Sequence, residues 1–225
     1  MEAFAKDTDG FFARHFDRKI SGAISRALLK TPVTPNQVTI AVTGIGVWAG
    51  WLFAQPGYGP KVAGGLVFLL TSILDGCDGE IARAKKMTSK LGGWLDLWGD
   101  NVVHMAVFYG MGLGLTRDSG VETYRLLGLA ACIGTLVSAS LASYQTWRKG
   151  KSSFTSVSGD IATAPTGWRG RLTAASDALA RRDFIYAVPL LAIFKLLWIF
   201  LWLTAIGANI YALTLIVLLL VTSSR

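Results

Sequence analysis

The amino-acid sequence predicts an all-α integral membrane protein with six transmembrane helices, preceded by an N-terminal amphipathic surface helix. The chain has 225 residues, of which 52% are hydrophobic and only 16% are charged, whereas soluble domains carry about 25% charged residues. Its apolar residues gather in segments of about 20 or more, the length that crosses a bilayer core of about 30 Å. Its basic residues fall between these segments in a one-sided pattern that sets an orientation.

The same composition excludes several other classes of protein. A chain this apolar is neither disordered nor collagen-like, and it offers no basic tail for a nucleic acid, so we expect no nucleic-acid partner. Cys77 and Cys132 are the only cysteines, which is too few for a disulfide scaffold or a zinc cluster. We therefore treat residues 1–225 as a single membrane domain.

The first segment, residues 1–33, is predicted to be amphipathic and to lie beside the membrane. Phe12, Phe16, Ile20 and Ile24 recur at helical spacing, with arginines on the other faces. This pattern is typical of a helix that lies in the headgroup layer.

The first span should begin at Thr34. Thr34 is a suitable N-cap, Pro35 fits the first helical position, and Gln37 completes a capping box. Asn36 remains as a polar side chain at the membrane face.

Residues 34–225 are predicted to form the six-span bundle. Four spans are read directly from the apolar segments 37–55, 62–82, 93–115 and 126–147. The last apolar run, 184–225, is twice too long for one span, and we interpret it as a helical hairpin that turns at Lys195. A break at Gly207–Asn209 instead would leave Lys195 inside a helix, at a cost of a few kcal/mol.

The basic residues orient this bundle. Of 22 Lys and Arg residues, 18 lie on one side of a six-span topology, in the N-terminal segment, the loop after span 2, the linker 148–182 and the C-terminus. The other side keeps only Lys61, Arg117, Arg125 and Lys195. The positive-inside rule therefore predicts a multi-pass protein of the cell (inner) membrane with both termini in the cytoplasm.

The acidic residues mark a candidate site. Five of the fourteen lie between Asp75 and Asp100, where span 2 ends and span 3 begins. At 100° per residue, Asp75, Asp78, Gly79, Ala82 and Arg83 share a stripe about 140° wide, and Glu80 and Cys77 lie outside it. The third span repeats this arrangement, since Gly92, Asp96 and Asp100 are four residues apart.

Four carboxylates aimed at one point require cations. Hard divalent ions such as Mg²⁺ or Mn²⁺ suit carboxylate ligands, and four carboxylates can hold two such ions about 3.5–4 Å apart, as displacement at phosphorus requires. The small residues leave room for a nucleotide or diphosphate, and Arg83 could bind phosphate oxygens. Carboxylates at membrane depth are costly and by default mark a functional site.

The acidic residues also form a sequence signature, D-x-x-D-G-x-x-A-R-x8-G-x3-D-x3-D. It resembles that of the CDP-alcohol phosphotransferase (CDP-alcohol phosphatidyltransferase) family, and all eight defined positions are present. They are Asp75, Asp78, Gly79, Ala82, Arg83, Gly92, Asp96 and Asp100.

The resemblance implies a metal-dependent transferase of phospholipid or related phosphodiester synthesis. A CDP-alcohol would give its phosphoryl-alcohol group to the hydroxyl of an acceptor alcohol, with release of CMP. Asp75, Asp78 and Asp96 would be the chief ligands of two Mg²⁺ or Mn²⁺ ions, and Asp100 would reach the metals and act as the catalytic base. The CDP group would be bordered by Asn36, Thr39, Asp78, Gly79, Ala82, Arg83 and Gly92.

Shorter matches point to a substrate class. The segments Thr8–Phe12, Arg18–Ser21 and Arg181–Phe184 resemble the membrane domain of di-myo-inositol-phosphate-phosphate synthases. That resemblance implies CDP-inositol as the donor and an inositol phosphate as the acceptor, while other relatives use CDP-diacylglycerol. The candidate ligands of an acceptor phosphate are Arg148, Lys149, Lys151, Arg181 and Arg182, which could equally serve only to enforce topology.

Other features leave alternatives open. His104 follows Asp100 by one helical turn, and we interpret it as a packed histidine rather than a site residue. Gly110, Gly112 and Gly114 could make a close helix contact within one protomer or across a dimer, and the family resemblance implies a homodimer among membrane lipids.

Two other functions fit parts of the sequence. A membrane prenyltransferase also binds an Mg²⁺-bound diphosphate, but its acidic motifs would lie far apart. A divalent-cation transporter would place its carboxylates near the midplane of the membrane rather than at the cytoplasmic third of two spans. Release of CMP from a CDP-alcohol would distinguish a CDP-alcohol phosphotransferase from both of these alternatives.

Overall fold

The computed structural model describes residues 17–148 and 185–223, and the regular secondary structure of these residues consists of helices joined by short turns and loops. The fold is therefore all-α, as predicted. Seven helices follow one another along the described chain: α1 (Arg18–Leu28), α2 (Pro35–Ala54), α3 (Tyr58–Ala84), α4 (Lys90–Ser119), α5 (Thr123–Arg148), α6 (Ala187–Ile193) and α7 (Leu197–Ser223).

The start of α2 confirms the predicted cap. The Thr34 hydroxyl accepts a hydrogen bond from the Gln37 backbone N–H, and the Thr34 N–H donates to the Gln37 side chain at 2.9 Å. Pro35 is the first helical residue. Because a capping box satisfies donors that the first turn leaves open, it fixes where the polar entry to α2 begins.

Four of the described helices are long and apolar enough to cross a membrane: α2, α3, and the parts of α5 and α7 at Thr123–Tyr144 and Leu197–Val217. Helix α4 has 30 residues and covers the predicted span 93–115, but several charged side chains interrupt its apolar character. Helix α6 is the described part of the predicted fifth span. The total of six spans stays a prediction.

The turn between α6 and α7 lies where the sequence placed it. Lys195 has a positive φ of 59°, and its ammonium group lies 5.5 Å from the centroid of the Tyr58 ring. Helix α7 continues without interruption past Gly207–Asn209. The alternative with Lys195 inside a helix is therefore wrong.

Helix α2 packs against both α3 and α4 and separates these two neighbours along most of their length. Helix α4 also packs on α5, α5 on α7, and α1 and α6 on α3. The main apolar core lies between these helices and is centred on Phe53, Phe68, Val107, Met111 and Leu201. This order of packing leaves a cavity between α2, α3 and α4.

Glycines of α4 bring the helices close within one chain. A Cβ at Gly110 would overlap the carbonyl oxygen of Gly50 on α2, and a Cβ at Gly112 would lie 2.7 Å from the Tyr124 carbonyl oxygen on α5. Small residues allow such close backbone approach where lipid supplies no hydrophobic driving force between helices. Of the two roles that the sequence left open, the structure shows the contact within the protomer.

The part of the N-terminal segment that the structure describes contains helix α1. Its buried face is centred on Ser21 and Ser25, which are 1% and 2% exposed, and this face packs against α3. Ile24 and Leu28 are half-buried beside them. Phe12 and Phe16 lie outside the described residues, and the position of α1 at a membrane surface stays a prediction.

Candidate active site

Three carboxylates meet between the C-terminal half of α3 and the N-terminal half of α4. Asp75, Asp96 and Asp100 each offer a carboxylate oxygen, and these oxygens all lie within 4.8 Å of one another. Asp96 is exposed, and the other two are half-buried. Asp96 and Asp100 share a face because they are one helical turn apart.

Charge repulsion opposes this arrangement. Like charges at that separation repel by on the order of 1–3 kcal/mol per pair, depending on how well water screens them. A hard divalent cation removes the repulsion, and an all-carboxylate donor set is the one that Mg²⁺ and Mn²⁺ prefer. The three residues therefore fit the predicted metal chemistry.

All four predicted aspartates line one cavity, which α2, α3 and α4 enclose. Its lining comprises Thr39, Val42, Thr43, Thr71, Asp75, Asp78, Asp96, Gly99, Asp100 and Val103. The helical stripe of the sequence analysis thus does bring the four acids to a common space. The cavity combines a carboxylate group on one side with hydroxyl and apolar groups on the other.

Asp78 differs from the other three aspartates. The Thr39 hydroxyl on α2 donates to its Oδ2 at 2.5 Å, and the Gly79 N–H donates to its Oδ1 at 2.5 Å. Its carboxylate lies outside the group of three, and the residue is only 9% exposed. Thr39, predicted as a neighbour of the CDP group, therefore also orients an aspartate of the signature.

Of the predicted nucleotide residues, Thr39 and Asp78 line the cavity, whereas Asn36, Gly79, Ala82, Arg83 and Gly92 are not among its lining residues. A Cβ at Gly92 would lie 3.1 Å from the Asn36 side-chain oxygen, so the entry to α2 and the start of α4 are adjacent. A Cβ at Gly79 would lie 3.3 Å from a terminal nitrogen of Arg83, whose side chain is exposed. Ala82 is half-buried on the same helix. The small residues thus keep the space beside Asn36 and Arg83 open.

The deeper part of the cavity contains two threonines that were not predicted from the sequence. Thr43 lies one turn after Thr39 on α2, and Thr71 lies one turn before Asp75 on α3. A Cβ at Gly99 would lie 2.5 Å from the Thr43 hydroxyl oxygen. The i, i+4 spacing from residues already singled out was the signal that could have found both threonines.

His104 and Cys77 take the roles expected of packed residues. The His104 ring lies 5.8 Å from the ring centroids of both Phe68 and Phe108, and its Nδ1 is 2.7 Å from the Asp100 carbonyl oxygen. Cys77 is 1% exposed and points toward α1, away from the carboxylates. The His104 ring therefore contacts two phenylalanine rings, and its interpretation as a packed histidine stays a prediction.

The predicted acceptor-phosphate ligands are not described by the structure. Lys149, Lys151, Arg181 and Arg182 lie outside the described residues, as does the side chain of Arg148. Their role stays a prediction.

The structure shows an all-α protein with four candidate membrane-spanning helices and a group of converging carboxylates, and comparison with known proteins identifies its family. The family model described as CDP-alcohol phosphatidyltransferase matches residues 32–221. The chain therefore belongs to this family, as the signature predicted.

The chain is similar in sequence to several curated proteins. The chain is 43% identical over 90 residues to a bifunctional IPC transferase and DIPP synthase of Thermococcus kodakarensis, a match that covers 39% of this chain and 19% of that protein. It is 32% identical over 91 residues to the archaetidylinositol phosphate synthase of Pyrococcus horikoshii, covering 40% of this chain and 47% of that one. The chain thus spans less than half the length of either relative that it matches.

The fold has a solved counterpart. Mycobacterium tuberculosis phosphatidylinositol phosphate synthase with CDP-DAG bound superposes with a TM-score of 0.57 at 19% identity, covering 88% of this chain and 92% of that one. The same enzyme has been solved in complex with manganese and citrate. At this level of identity the likeness shows the fold.

Proposed function

We propose that this protein transfers the phosphoryl-alcohol group of a CDP-alcohol to the hydroxyl of an acceptor alcohol and releases CMP. The observation that carries the proposal is the meeting of Asp75, Asp96 and Asp100 within 4.8 Å of one another in a cavity that also contains Asp78. Family membership supports it, since the cavity holds the four aspartates of the family signature.

Two divalent cations, Mg²⁺ or Mn²⁺, are proposed to be held by Asp75, Asp78, Asp96 and Asp100. When bound, they would neutralise the diphosphate of the donor and polarise the phosphorus that is attacked. The fixed bond from Thr39 to Asp78 supports this assignment, because it holds one carboxylate in place before any ligand arrives.

The chain's own residues divide the remaining work. Asp100, beside the other two carboxylates, is proposed to take the proton of the acceptor hydroxyl as that oxygen attacks. Asn36, Thr39, Gly79, Ala82, Arg83 and Gly92 are proposed to bind the CDP group, with Arg83 on phosphate oxygens. In-line attack then expels CMP, whose charge the same residues stabilise.

The substrates are proposed from the relatives. Similarity to bifunctional IPC transferase and DIPP synthases favours CDP-inositol as the donor and an inositol phosphate as the acceptor. The solved phosphatidylinositol phosphate synthase with CDP-DAG bound favours CDP-diacylglycerol as the alternative donor. Both choices share an activated CDP-alcohol and a polyol-phosphate acceptor.

The surroundings of the site complete the proposal. We place both termini, the linker 148–182 and the mouth of the cavity on the cytoplasmic face of the cell membrane, with six spans in a homodimer surrounded by lipid. The excess of basic residues on that face supports the orientation. Reporter fusions at the two termini test it, and an external signal from either fusion would contradict it.

A direct assay tests the reaction. The purified protein is supplied with CDP-inositol or CDP-diacylglycerol, Mg²⁺ or Mn²⁺, and a panel of polyol-phosphate acceptors, and CMP is measured. We expect CMP to form with at least one pair, to require the metal, and to fall to background in Asp100→Asn. No CMP from any donor would refute the reaction, and full activity in Asp100→Asn would refute the proposed base.

One linker cation can be tested in the same assay. If Arg181 binds the acceptor phosphate, Arg181→Glu should raise the KM for a phosphorylated acceptor and leave the KM for the donor unchanged. Lys6→Glu is the charge-matched control outside the linker. An unchanged acceptor KM would remove Arg181 from the site.

A further inference from the structure

The signature segment of α3 has two faces with different surroundings. Asp75 and Asp78 face the cavity. The opposite face carries Cys77, Glu80 and Ile81, which are 1%, 0% and 0% exposed. Glu80 occupies a position that the signature leaves undefined, and the helical stripe of acids excludes it from the metal group.

Glu80 connects α3 to α1. The Ser21 hydroxyl donates to Glu80 Oε1 at 2.9 Å, and Ser21 is itself only 1% exposed. Beside this bond, the Cys77 thiol lies 3.6 Å from the Ser21 carbonyl oxygen. An apolar side chain would fill this interior position at lower cost than a carboxyl group. A buried polar contact of this kind instead selects one register of α1 on α3.

Side chains of two further residues form hydrogen bonds with the chain just before and just after α1. The Tyr186 hydroxyl, just before α6, donates to the Asp17 carboxylate at the start of α1. The Lys85 ammonium, just after α3, donates to the carbonyl oxygens of Thr31 and Val33 at 2.7 and 2.8 Å. These carbonyls belong to the loop between α1 and α2, so α3 holds both the helix and the loop that follows it.

That loop leads directly into the site. Val33 precedes the Thr34 cap, and one turn later Thr39 holds the Asp78 carboxylate. Asn36, in the same turn, lies against Gly92. A shift of α1 along α3 would therefore pass through a short, hydrogen-bonded loop to the residues of α2 that border the cavity.

We propose that Glu80 is a positioning residue: through its bond to Ser21 it holds α1 in register on α3, and thereby sets where Thr39 and Asn36 meet the metal and donor site. Helix α1 is then part of the apparatus that forms the site. The proposal rests on the proposed function only for its kinetic readout.

The test compares variants that keep or remove the bond. Glu80→Gln retains an oxygen that accepts from Ser21, whereas Glu80→Leu fills the same space without one, and Ser21→Ala removes the donor with minimal change of volume. Lys19→Ala, on the exposed side of α1, is the control. Each variant is measured for Mn²⁺ affinity without turnover, for donor KM and kcat, and for thermal unfolding.

We expect Glu80→Leu and Ser21→Ala to weaken Mn²⁺ binding or raise the donor KM by about three- to tenfold, in line with the loss of one hydrogen bond to a charged or buried group. Glu80→Gln and Lys19→Ala should stay within twofold of wild type. If Glu80→Leu does not fold, Ser21→Ala decides the question. A lower unfolding temperature with unchanged Mn²⁺ affinity and donor KM would overturn the proposal, because a merely structural contact has that effect.

The two proposals fail separately. A wild-type protein that binds Mn²⁺ but forms no CMP refutes the proposed function, while the Mn²⁺ affinities of the variants still decide the role of Glu80. Conversely, normal CMP formation with no difference between Glu80→Leu and Glu80→Gln refutes the role of Glu80 alone.

Discussion

Carboxylates at the two ends of helices α3 and α4 have opposite electrostatic surroundings. At one end, Asp118 pairs with Lys61 at 2.5 Å and accepts the Gly57 N–H at 2.8 Å, so a fixed cation and a backbone donor neutralise it. At the other end, three carboxylates lie within 4.8 Å of one another. The first carboxylate is neutralised by a cation of the protein itself, whereas the second arrangement is a group of like charges that a divalent cation would neutralise.

The acid of the first arrangement takes part in a contact between helices, whereas those of the second lie in the candidate site. Lys61 is 6% exposed and also donates to the carbonyl oxygens of Gln55 and Gly57, so the ion pair closes the turn between α2 and α3. A charge that is buried with its own partner stabilises one conformation. Carboxylates that converge cost stability until a metal binds, and proteins keep such arrangements for function.

The largest effect is expected where the three carboxylates converge. Asp96→Asn removes one charge from the carboxylate group and should lower kcat/KM for CMP release by at least about a hundredfold, since metal stabilisation of the reacting phosphate contributes several kcal/mol. Asp118→Asn is the matched substitution at the other end of the same helix and should keep activity within about threefold. Equal losses in the two variants would show that the carboxylates differ less than the geometry indicates.

A smaller effect is expected at Thr39. Thr39→Val removes the hydroxyl that donates to Asp78 and keeps the side-chain shape, so Mn²⁺ affinity should fall by about tenfold, the lower end of what hydrogen-bond partners of metal ligands contribute. Thr135→Val is the control, because its hydroxyl bonds only to the Ala131 carbonyl oxygen within α5 in the described structure. Isothermal titration with Mn²⁺ measures both, and an unchanged affinity in Thr39→Val would separate Asp78 from the metal site.

The smallest effect concerns stability at the opposite end. Asp118 lies beyond the predicted span 93–115. Burial alone would raise its pKa, but the hydrogen bonds from Lys61 and Gly57, together with the lysine charge, lower the pKa below its usual value. The stabilisation is therefore present above the unfolded-state pKa of about 3.9 and is lost as the pH falls through the folded-state value.

Asp118→Asn should consequently lower the unfolding temperature at pH 7 by about 2–4 °C, equivalent to about 1 kcal/mol. The difference from wild type should shrink as the pH falls below about 4. Thermal unfolding in detergent at several pH values measures it. A difference that stays constant down to pH 3 would show that the ion pair is not its source.

Local patterns predicted much of the fold and site. The lengths of the apolar segments predicted the long helices, and helical periodicity predicted that the four aspartates share one cavity. The Thr34 cap and the Lys195 turn were predictable because each depends on a few adjacent residues. The position of α2 between α3 and α4 was not predictable, because contacts between distant segments leave no periodic signal. For the same reason the bond from Thr39 to Asp78, and the burial of Glu80 against Ser21, became visible only in three dimensions.

Asp75, Asp96 and Asp100 are proposed to bind divalent cations together. Titration of the chelator-treated protein with Mn²⁺, followed by electron paramagnetic resonance, tests it without any substrate. We expect saturable binding that weakens by about tenfold or more in Asp75→Asn, Asp96→Asn and Asp100→Asn, and that stays unchanged in Asp118→Asn. Mn²⁺ binding of equal affinity in wild type and in all three site variants would contradict it.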